Sequence, residues 1–425
     1  MKHKASVFNY YFALDNGMTG IFNTLSGSII GLPDDDCEKL KNDSSALKQN
    51  IQDSLISKGF LVPYVLNEYD AVHMKRIKSI LNNDVSFYRI LTTLDCNARC
   101  FYCYEGKSRA EYMDLSVAEQ TAKFIIDHIN ERRCILQWFG GEPLMNTKVI
   151  DLISGMLREN LGDEKIRPVM ITNASLADDE IIGKMKDAWN LYLLQITLDG
   201  TSEEYNRRKN YISVKNPFEL VIENIKNVLR AGIKVSLRLN YDKNNYLNLC
   251  ELVEYLKSEG LNREENFTIY SYPVFSIRQD VTPNVSGKEE WFAIQRALMK
   301  NEFLSPKEAF ALRTRRVQCY GCSSKSFIVM PNGELFKCTL SMKNPSERVG
   351  DIWNGITNYE VMGKWCDTSV TENCAACCFL PICQGGCRAG VFDYTSDLCF
   401  PQKNFVDDVL RERIKYLNAS GKKEN

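Results

Sequence analysis

The chain has 425 residues, a net charge of −1 from 53 Lys and Arg against 54 Asp and Glu, and 16 cysteines beside 3 histidines. That length predicts two or three domains, and the balanced charge excludes an electrostatic case for a nucleic-acid or membrane-surface partner. No apolar run reaches the ~20 residues of a spanning helix, and the start, Met1 to Ala5, lacks the apolar core of a signal peptide, so the expectation is a cytoplasmic protein whose thiols are not disulfides.

Residues 1–85 read as a small α+β module. Phe8, Tyr10, Phe12 and Leu14 alternate as a strand does. Asp15-Asn16-Gly17 turns the chain, Ile21-Phe22 continues it, Ser26-Gly27 turns it again, and Ile29-Ile30 completes a three-strand meander. Helical stretches around Asp34–Leu40 and Ala46–Ser57 follow, then a strand at Gly59–Val62. A module of this kind can take an extended peptide as an added strand on a free edge, or can simply cap the fold.

From residue 86 to about 275 strands alternate with helices. Strands are expected at Phe87–Leu94, Ile135–Phe139, Val169–Thr172, Leu193–Leu198, Lys234–Leu239 and Phe267–Pro273. The intervening helices are read at Ser116–Asn130, opened by a Ser116/Glu119 capping box, and at Val149–Asn160 and Asp179–Asn190. Another is capped by Asn216 before Pro217 and stopped at Gly232, and a further one spans Tyr246–Glu259. Six βα units predict a partial parallel (β/α)6 barrel, whose chemistry belongs at the C-terminal ends of its strands. Residues 276–318 read as a helical linker with helices at Glu289–Lys300 and Ser305–Thr314. A cysteine-rich region, 319–410, opens with a hairpin, Phe327–Met330 and Leu335–Cys338 around Pro331-Asn332-Gly333. Asp407–Leu417 is helical, and residues 411–425 hold the end of that helix and a polar tail.

The chemistry lies in cysteine spacing. Cys96, Cys100 and Cys103 form C-x₃-C-x₂-C directly after the first barrel strand, with the aromatic Tyr102 before the last cysteine. Structural zinc and electron-transfer clusters take four protein ligands, so three thiolates leave one position open. An open iron on a cubane can bind a small molecule; the alternative is a zinc site short of one ligand. Gly140-Gly141-Glu142-Pro143 follows the second strand, with a carboxylate that could accept from an ammonium and glycines that allow close backbone approach. Asn173, Thr197, Asp199, Arg238 and Asn240 lie at or near later strand ends. Eight cysteines, Cys319, Cys322, Cys338, Cys374, Cys377, Cys383, Cys387 and Cys399, fit two closed four-ligand sites, with Cys378 an ambiguity beside Cys377. Sulfur-only ligation favours iron–sulfur clusters over zinc. Cys37, Cys134, Cys250, Cys366 and Cys378 read as small buried hydrophobes.

Through the three-cysteine loop and the GGEP run, residues 86–275 resemble the radical SAM superfamily. The resemblance implies a [4Fe–4S] cluster on Cys96, Cys100 and Cys103 whose open iron takes S-adenosylmethionine, the source of a 5′-deoxyadenosyl radical. It implies that Glu142 meets the methionine amino group, Thr197 and Asp199 the ribose, Arg238 the methionine carboxylate, and Asn173 and Asn240 other polar atoms. The C-terminal cysteines resemble the SPASM extension, which implies two auxiliary [4Fe–4S] clusters, one on Cys319, Cys322, Cys338 and Cys387, the other on Cys374, Cys377, Cys383 and Cys399. Crossed ligation of this sort occurs in two-cluster ferredoxins. Tyr10–Leu32, including Phe22 to Gly27, resembles the winged-helix-like element with which peptide-modifying SPASM enzymes hold a precursor's leader. The implied function is maturation of a ribosomal precursor peptide, most often as a cysteine thioether of the sactipeptide or ranthipeptide kind. A reductant such as flavodoxin or ferredoxin would serve it. The alternatives are a sulfatase-maturing enzyme that makes formylglycine, or a non-catalytic iron–sulfur carrier. Sulfatase-maturing relatives typically carry Asp after the cysteine equivalent to Cys338, where this chain has Thr339.

Overall fold

The structure is a computed structural model; it describes residues 2–81, 84–103, 110–129, 133–274, 287–312, 319–389 and 402–419. Cys399, the tail 420–425 and the expected helix ends at Asn130 and Thr314 lie outside the described residues. The chain divides into two compact units, Met1–Asn83 with Ser305–Ser324 and Cys366–Asn425, and Asp84–Leu304 with Lys325–Trp365.

In chain order the first unit begins with β1 (His3–Ala5), β2 (Asn9–Ala13), β3 (Met18–Asn23), β4 (Ile29–Pro33), α1 (Asp34–Asn42), α2 (Gln49–Ser57), β5 (Leu61–Pro63) and α3 (Glu68–Leu81). The antiparallel meander β2-β3-β4 turns at Asn16 and Gly17, both at positive φ, which matches the twist of a tight hairpin. The expected last strand, β5, pairs antiparallel with β1, a three-residue strand that alternation is too short to reveal. Ile21, Leu32, Cys37, Leu40, Leu55 and Phe60 share one core, so Cys37 is the small hydrophobe expected. Asn23, within the Phe22–Gly27 run, is the polar hub of this part. Its amide donates to Ser6 Oγ, Asn9 Oδ1 and Gly59 O, and its Oδ1 accepts from the Leu25 and Ser26 N–H groups.

The second unit holds β6 (Val85–Leu91), α4 (Leu115–Ile129), β7 (Arg133–Phe139), α5 (Thr147–Leu161), β8 (Ile166–Ile171), α6 (Asp179–Gly183), β9 (Leu193–Leu198), α7 (Ser202–Lys209), α8 (Pro217–Arg230), β10 (Lys234–Tyr241), α9 (Tyr246–Ser258), β11 (Phe267–Pro273) and α10 (Lys288–Lys300). β6 to β11 pair in parallel and in sequence order, the six-strand half-barrel expected from the alternation. Each strand buries alternate residues under its helices; Ser86, Tyr88 and Ile90 do so in β6, with the Tyr88 ring edge-on to Phe124 of α4 at 6.3 Å. The other set, including Phe87 and Arg89, lines the concave face. Beyond the short α11 (Pro306–Ala309) in the first unit, the predicted hairpin appears as β12 (Ser326–Val329) and β13 (Glu334–Phe336). It does not stand apart: β12 pairs in parallel with β6, and β14 (Gly350–Asp351) and β15 (Gly355–Ile356) extend the sheet to ten strands.

Helix punctuation differs in detail from the expectation. Asp114 rather than Ser116 opens α4, since its carboxylate accepts from Val117 N–H at 2.8 Å. Asn216 precedes α8 in the left-handed region and its side chain caps nothing. The stretch expected to be one helix over Asp179–Asn190 is α6 followed by a wide π turn at Lys184–Ala188. Further helices among the described residues include α12 (Tyr359–Cys366), α13 (Glu372–Ala375), α14 (Leu380–Cys383) and α15 (Val406–Ala419).

Candidate functional site

The cysteine loop leaves β6 at its C-terminal end and is tied down on three sides. On one side the glycine pair lies against it. Gly141 N–H donates to Thr93 O at 3.0 Å and Glu142 N–H to Asp95 O at 2.8 Å. A Cβ on Gly140 would lie 2.1 Å from Thr93 O, and one on Gly141 2.1 Å from Asp95 O. The glycines therefore serve backbone against backbone, fixing the loop, and their φ freedom matters at Gly140, where φ is +125°. On the second side Asn173 donates to Asn97 Oδ1 at 2.8 Å, and Asn97 to Ser175 Oγ at 2.8 Å. On the third, Arg99 N–H donates to Lys209 O at 2.9 Å and Ile212 N–H to Asn97 O at 2.8 Å.

Glu142 is fully buried and spans β7 and β8. Its carboxylate accepts from Thr172 Oγ1 at 2.6 Å, Asn173 N–H at 2.9 Å and Leu144 N–H at 3.1 Å. Burial raises its pKa, opposed by those three hydrogen bonds. Pro143 begins the short turn that follows.

Tyr102, the aromatic between Cys100 and Cys103, reaches across to strand four. Its hydroxyl donates to Asp199 Oδ2 at 2.6 Å and accepts from Lys209 Nζ at 2.9 Å, and Lys209 stands 3.5 Å from the same Asp199 oxygen. The Lys209 side chain is 6% exposed and Asp199 0%. Burial alone would lower the lysine's pKa; Asp199 and Tyr102 outweigh it and hold the ammonium charged. Burial, reinforced by Asp199, raises the Tyr102 phenol well above its usual range. Lys209 escaped sequence analysis because Arg207-Arg208-Lys209 looks like an exposed basic helix end. Only Arg207 is exposed in that way; Arg208 is buried against Asp242 at 2.7 Å.

Burial, followed by the Glu142 charge, pushes the Cys96 thiol up to about 12, and burial raises Cys100 as well. The polar residues expected to face a ligand retain unsatisfied atoms. Among the described residues Asp199 Oδ1, Asn240 Oδ1 and Arg238 Nε are buried and lack a hydrogen-bond partner. Thr197 lies in register beside Arg238, whose guanidinium stacks over Tyr272 at 4.1 Å.

Of the remaining cysteines, Cys338 follows β13 in the second unit, while Cys319, Cys322, Cys374, Cys377, Cys383 and Cys387 belong to the first. Gln384, Gly385 and Gly386 all have positive φ and reverse the chain between Cys383 and Cys387. Arg76 of α3 donates to the carbonyls of Gln384, Thr368 and Ser369 and anchors that reversal.

The match to the Radical SAM superfamily model covers residues 90–269. Residues 90–269 are a radical SAM domain. Across the wider chain, the "Cysteine-type anaerobic sulfatase-maturating enzyme" of Clostridium novyi is 21% identical over 324 residues, 69% of this chain and 85% of that protein. Two other curated relatives are matched over only 41% and 50% of their own length. Among solved structures, "anSMEcpe with bound AdoMet and Cp18Cys peptide" superposes with a TM-score of 0.58 at 17% identity, covering 79% of this chain and 97% of that one. Streptococcus suis SuiB "bound to precursor peptide SuiA" superposes with a TM-score of 0.53 at 16% identity, covering 95% and 99%. These likenesses establish the fold.

A radical SAM domain implies a [4Fe–4S] cluster and S-adenosylmethionine. The residues present fit both. Among the described residues no three Cys, His, Asp or Glu side chains converge on a single metal ion. A cubane asks for something else, one thiolate for each of three irons, which the loop can supply. The three unsatisfied atoms on Asp199, Arg238 and Asn240 offer two acceptors and a donor for a polar ligand at the strand ends.

Proposed function

We propose that the chain matures a ribosomally made precursor peptide by installing a cysteine-derived thioether. The observation that carries this reading is the three-cysteine loop fixed at the strand ends by Gly141, Glu142 and Asn173. It is supported by likeness over 95% of the chain to a protein whose structure holds a precursor peptide. When bound, the cluster and S-adenosylmethionine supply a carbon-centred radical able to take hydrogen from a peptide carbon.

In this reading Cys96, Cys100 and Cys103 bind three irons as thiolates, giving up their protons on loading. Tyr102 is held by Asp199 and Lys209, so the loop segment between the last two cysteines keeps one orientation. Asp199 Oδ1, Asn240 Oδ1, Thr197 and Arg238 orient S-adenosylmethionine, and Glu142 and Asn173 shape the edge near its amino acid end. Cys319, Cys322, Cys338 and Cys387, with Cys374, Cys377, Cys383 and Cys399, hold two auxiliary clusters. The module of residues 1–85 binds the leader, and a flavodoxin or ferredoxin supplies electrons to a cytoplasmic enzyme. Among the described residues no helix is long and apolar enough to cross a membrane.

Formylglycine formation is the second reading, favoured by the Clostridium novyi relative. Thr339, where sulfatase-maturing relatives typically carry Asp, speaks against it. The test is anaerobic reconstitution with dithionite, S-adenosylmethionine and a precursor peptide. The expected result is 5′-deoxyadenosine together with a peptide product 2 Da lighter per cross-link, resistant to thiol alkylation, about one per turnover. An aldehyde product would favour formylglycine, and absence of 5′-deoxyadenosine with the cluster intact would favour a carrier.

A further inference from the structure

The cysteine loop is flanked by buried negative charge. Glu142 and Asp199 are both fully buried beside it. Burial raises the Cys96 and Cys100 thiols, and Glu142 reinforces that effect at Cys96 as Asp199 does at Cys100. Three thiolates outweigh the positive charge of a [4Fe–4S]²⁺ core, so the loaded loop is an anion before it takes an electron. Buried carboxylates beside such a site oppose reduction, because net charge and burial are among the levers that set a cluster's potential.

Lys209 is the cation that meets these groups. Its carbonyl accepts from Arg99 N–H at 2.9 Å and its Nζ donates to the Tyr102 hydroxyl at 2.9 Å, so the residue is pinned to the loop on both sides of Cys100. The Nζ is 3.5 Å from Asp199 Oδ2, with the Tyr102 and Tyr205 rings 5.5 and 5.9 Å away. Tyr205, like Asp199, is fully buried, so water screens this charge little. At Cys100 Lys209 is the strongest neighbouring charge and acts against burial, ahead of Asp199, and its charge also reaches Glu142. One ammonium therefore opposes both carboxylates and favours added negative charge on the loop.

We propose that Lys209 sets how readily the cluster on Cys96, Cys100 and Cys103 is reduced, its buried ammonium favouring the one-electron reduced form over the oxidised form. The electron comes from the external reductant; no bond forms or breaks and no proton moves. This rests on the reading that these three cysteines hold the cluster. Lys209 is a positioning residue here, acting through the field at the cysteines and not on the reacting atoms.

The test is anaerobic potentiometric titration of the reconstituted full chain with titanium(III) citrate, followed by electron paramagnetic resonance. S-adenosylmethionine is left out, so that ligand binding does not enter the result. The signal of this cluster is the one absent in Cys96→Ala and altered when S-adenosylmethionine is added to the wild type. If the wild type gives no such signal, the cluster reading falls first and this proposal with it. Lys209→Gln should weaken the reduction equilibrium about tenfold, a midpoint lowered by about 59 mV for one electron. Lys209→Arg, which keeps the charge, should stay nearer the wild type than Lys209→Gln. Asp199→Asn should raise the midpoint, and adding Lys209→Gln to it should lower it again. That pair decides the matter if Lys209→Gln alone fails to assemble, since neither leaves a carboxylate stranded. An unchanged midpoint in Lys209→Gln with iron content intact, or an equal fall in Lys209→Arg, overturns the proposal. So does loss of iron in every variant, which would make Lys209 structural.

Discussion

Lys209 is the residue whose surroundings matter most to the cysteine loop. It is the buried cation between Asp199 and Tyr102, and removing it leaves a buried carboxylate facing a phenol without the ammonium that bridges them. Breaking a buried pair from one side costs roughly 3–5 kcal/mol. Lys209→Met should therefore lose about that much stability in denaturant titration, and Tyr102→Phe about 1–2 kcal/mol, the cost of one hydrogen bond. At the same scale, replacing any one of Cys96, Cys100 or Cys103 with Ala should abolish 5′-deoxyadenosine formation; persistent product would overturn the cluster assignment. In the iron-free protein Cys96, its thiol held near 12, should react with iodoacetamide at pH 8 at least about tenfold more slowly than free cysteine, since the thiolate is the nucleophile. Peptide mapping after timed alkylation measures this.

At the scale of elements, the alternation of strand and helix was legible because period-2 and period-3.6 patterns are local. The six parallel strands, the N-terminal meander and the β12–β13 hairpin all stand where their patterns put them. Caps were less legible. Asp114, Ser116 and Asn216 are all plausible caps, and only the path of the preceding chain selects among them. The pairing of β12 with β6 joins residues 326–329 to residues 87–90, and no local signal encodes it. The GGEP run was recognisable as a motif, but its glycines proved to be packing sites against Thr93 and Asp95. Gly141→Ala must push the Asp95 carbonyl away from a Cβ 2.1 Å distant. The expected cost is about 2 kcal/mol or more, with cluster assembly impaired; iron content per chain and denaturant midpoint measure the two effects.

At the scale of the molecule, the N-terminal module is not free of the cysteine-rich C-terminal region, since both belong to one compact unit. Tyr10 donates to Asp407 at 2.5 Å and its ring packs on Phe379 at 4.7 Å. Thr24 donates to the Cys378 carbonyl, and Arg411 to Ala13 O at 3.0 Å. Phe8 and Val72 share a core with Leu380. Deleting residues 1–83 should therefore do more than remove leader binding: the truncated chain should lose iron from the C-terminal cysteines and aggregate. Arg76→Ala in the full chain should reproduce part of the iron loss by freeing the Gln384–Gly386 reversal. Full iron retention in both would show that the N-terminal module does not support the C-terminal region.

Cysteine spacing, the GGEP run and the βα alternation were enough, without coordinates, to point to a radical SAM half-barrel with extra cysteine sites. Those features are set by neighbours within a few residues, so the linear order carries them. Tertiary structure alone decided that Lys209 is buried with Tyr102 and Asp199, that Glu142 braces two strands, and that β12 joins β6. Each depends on groups tens to hundreds of residues apart, and the burial that gives a charge its strength is a property of the folded chain.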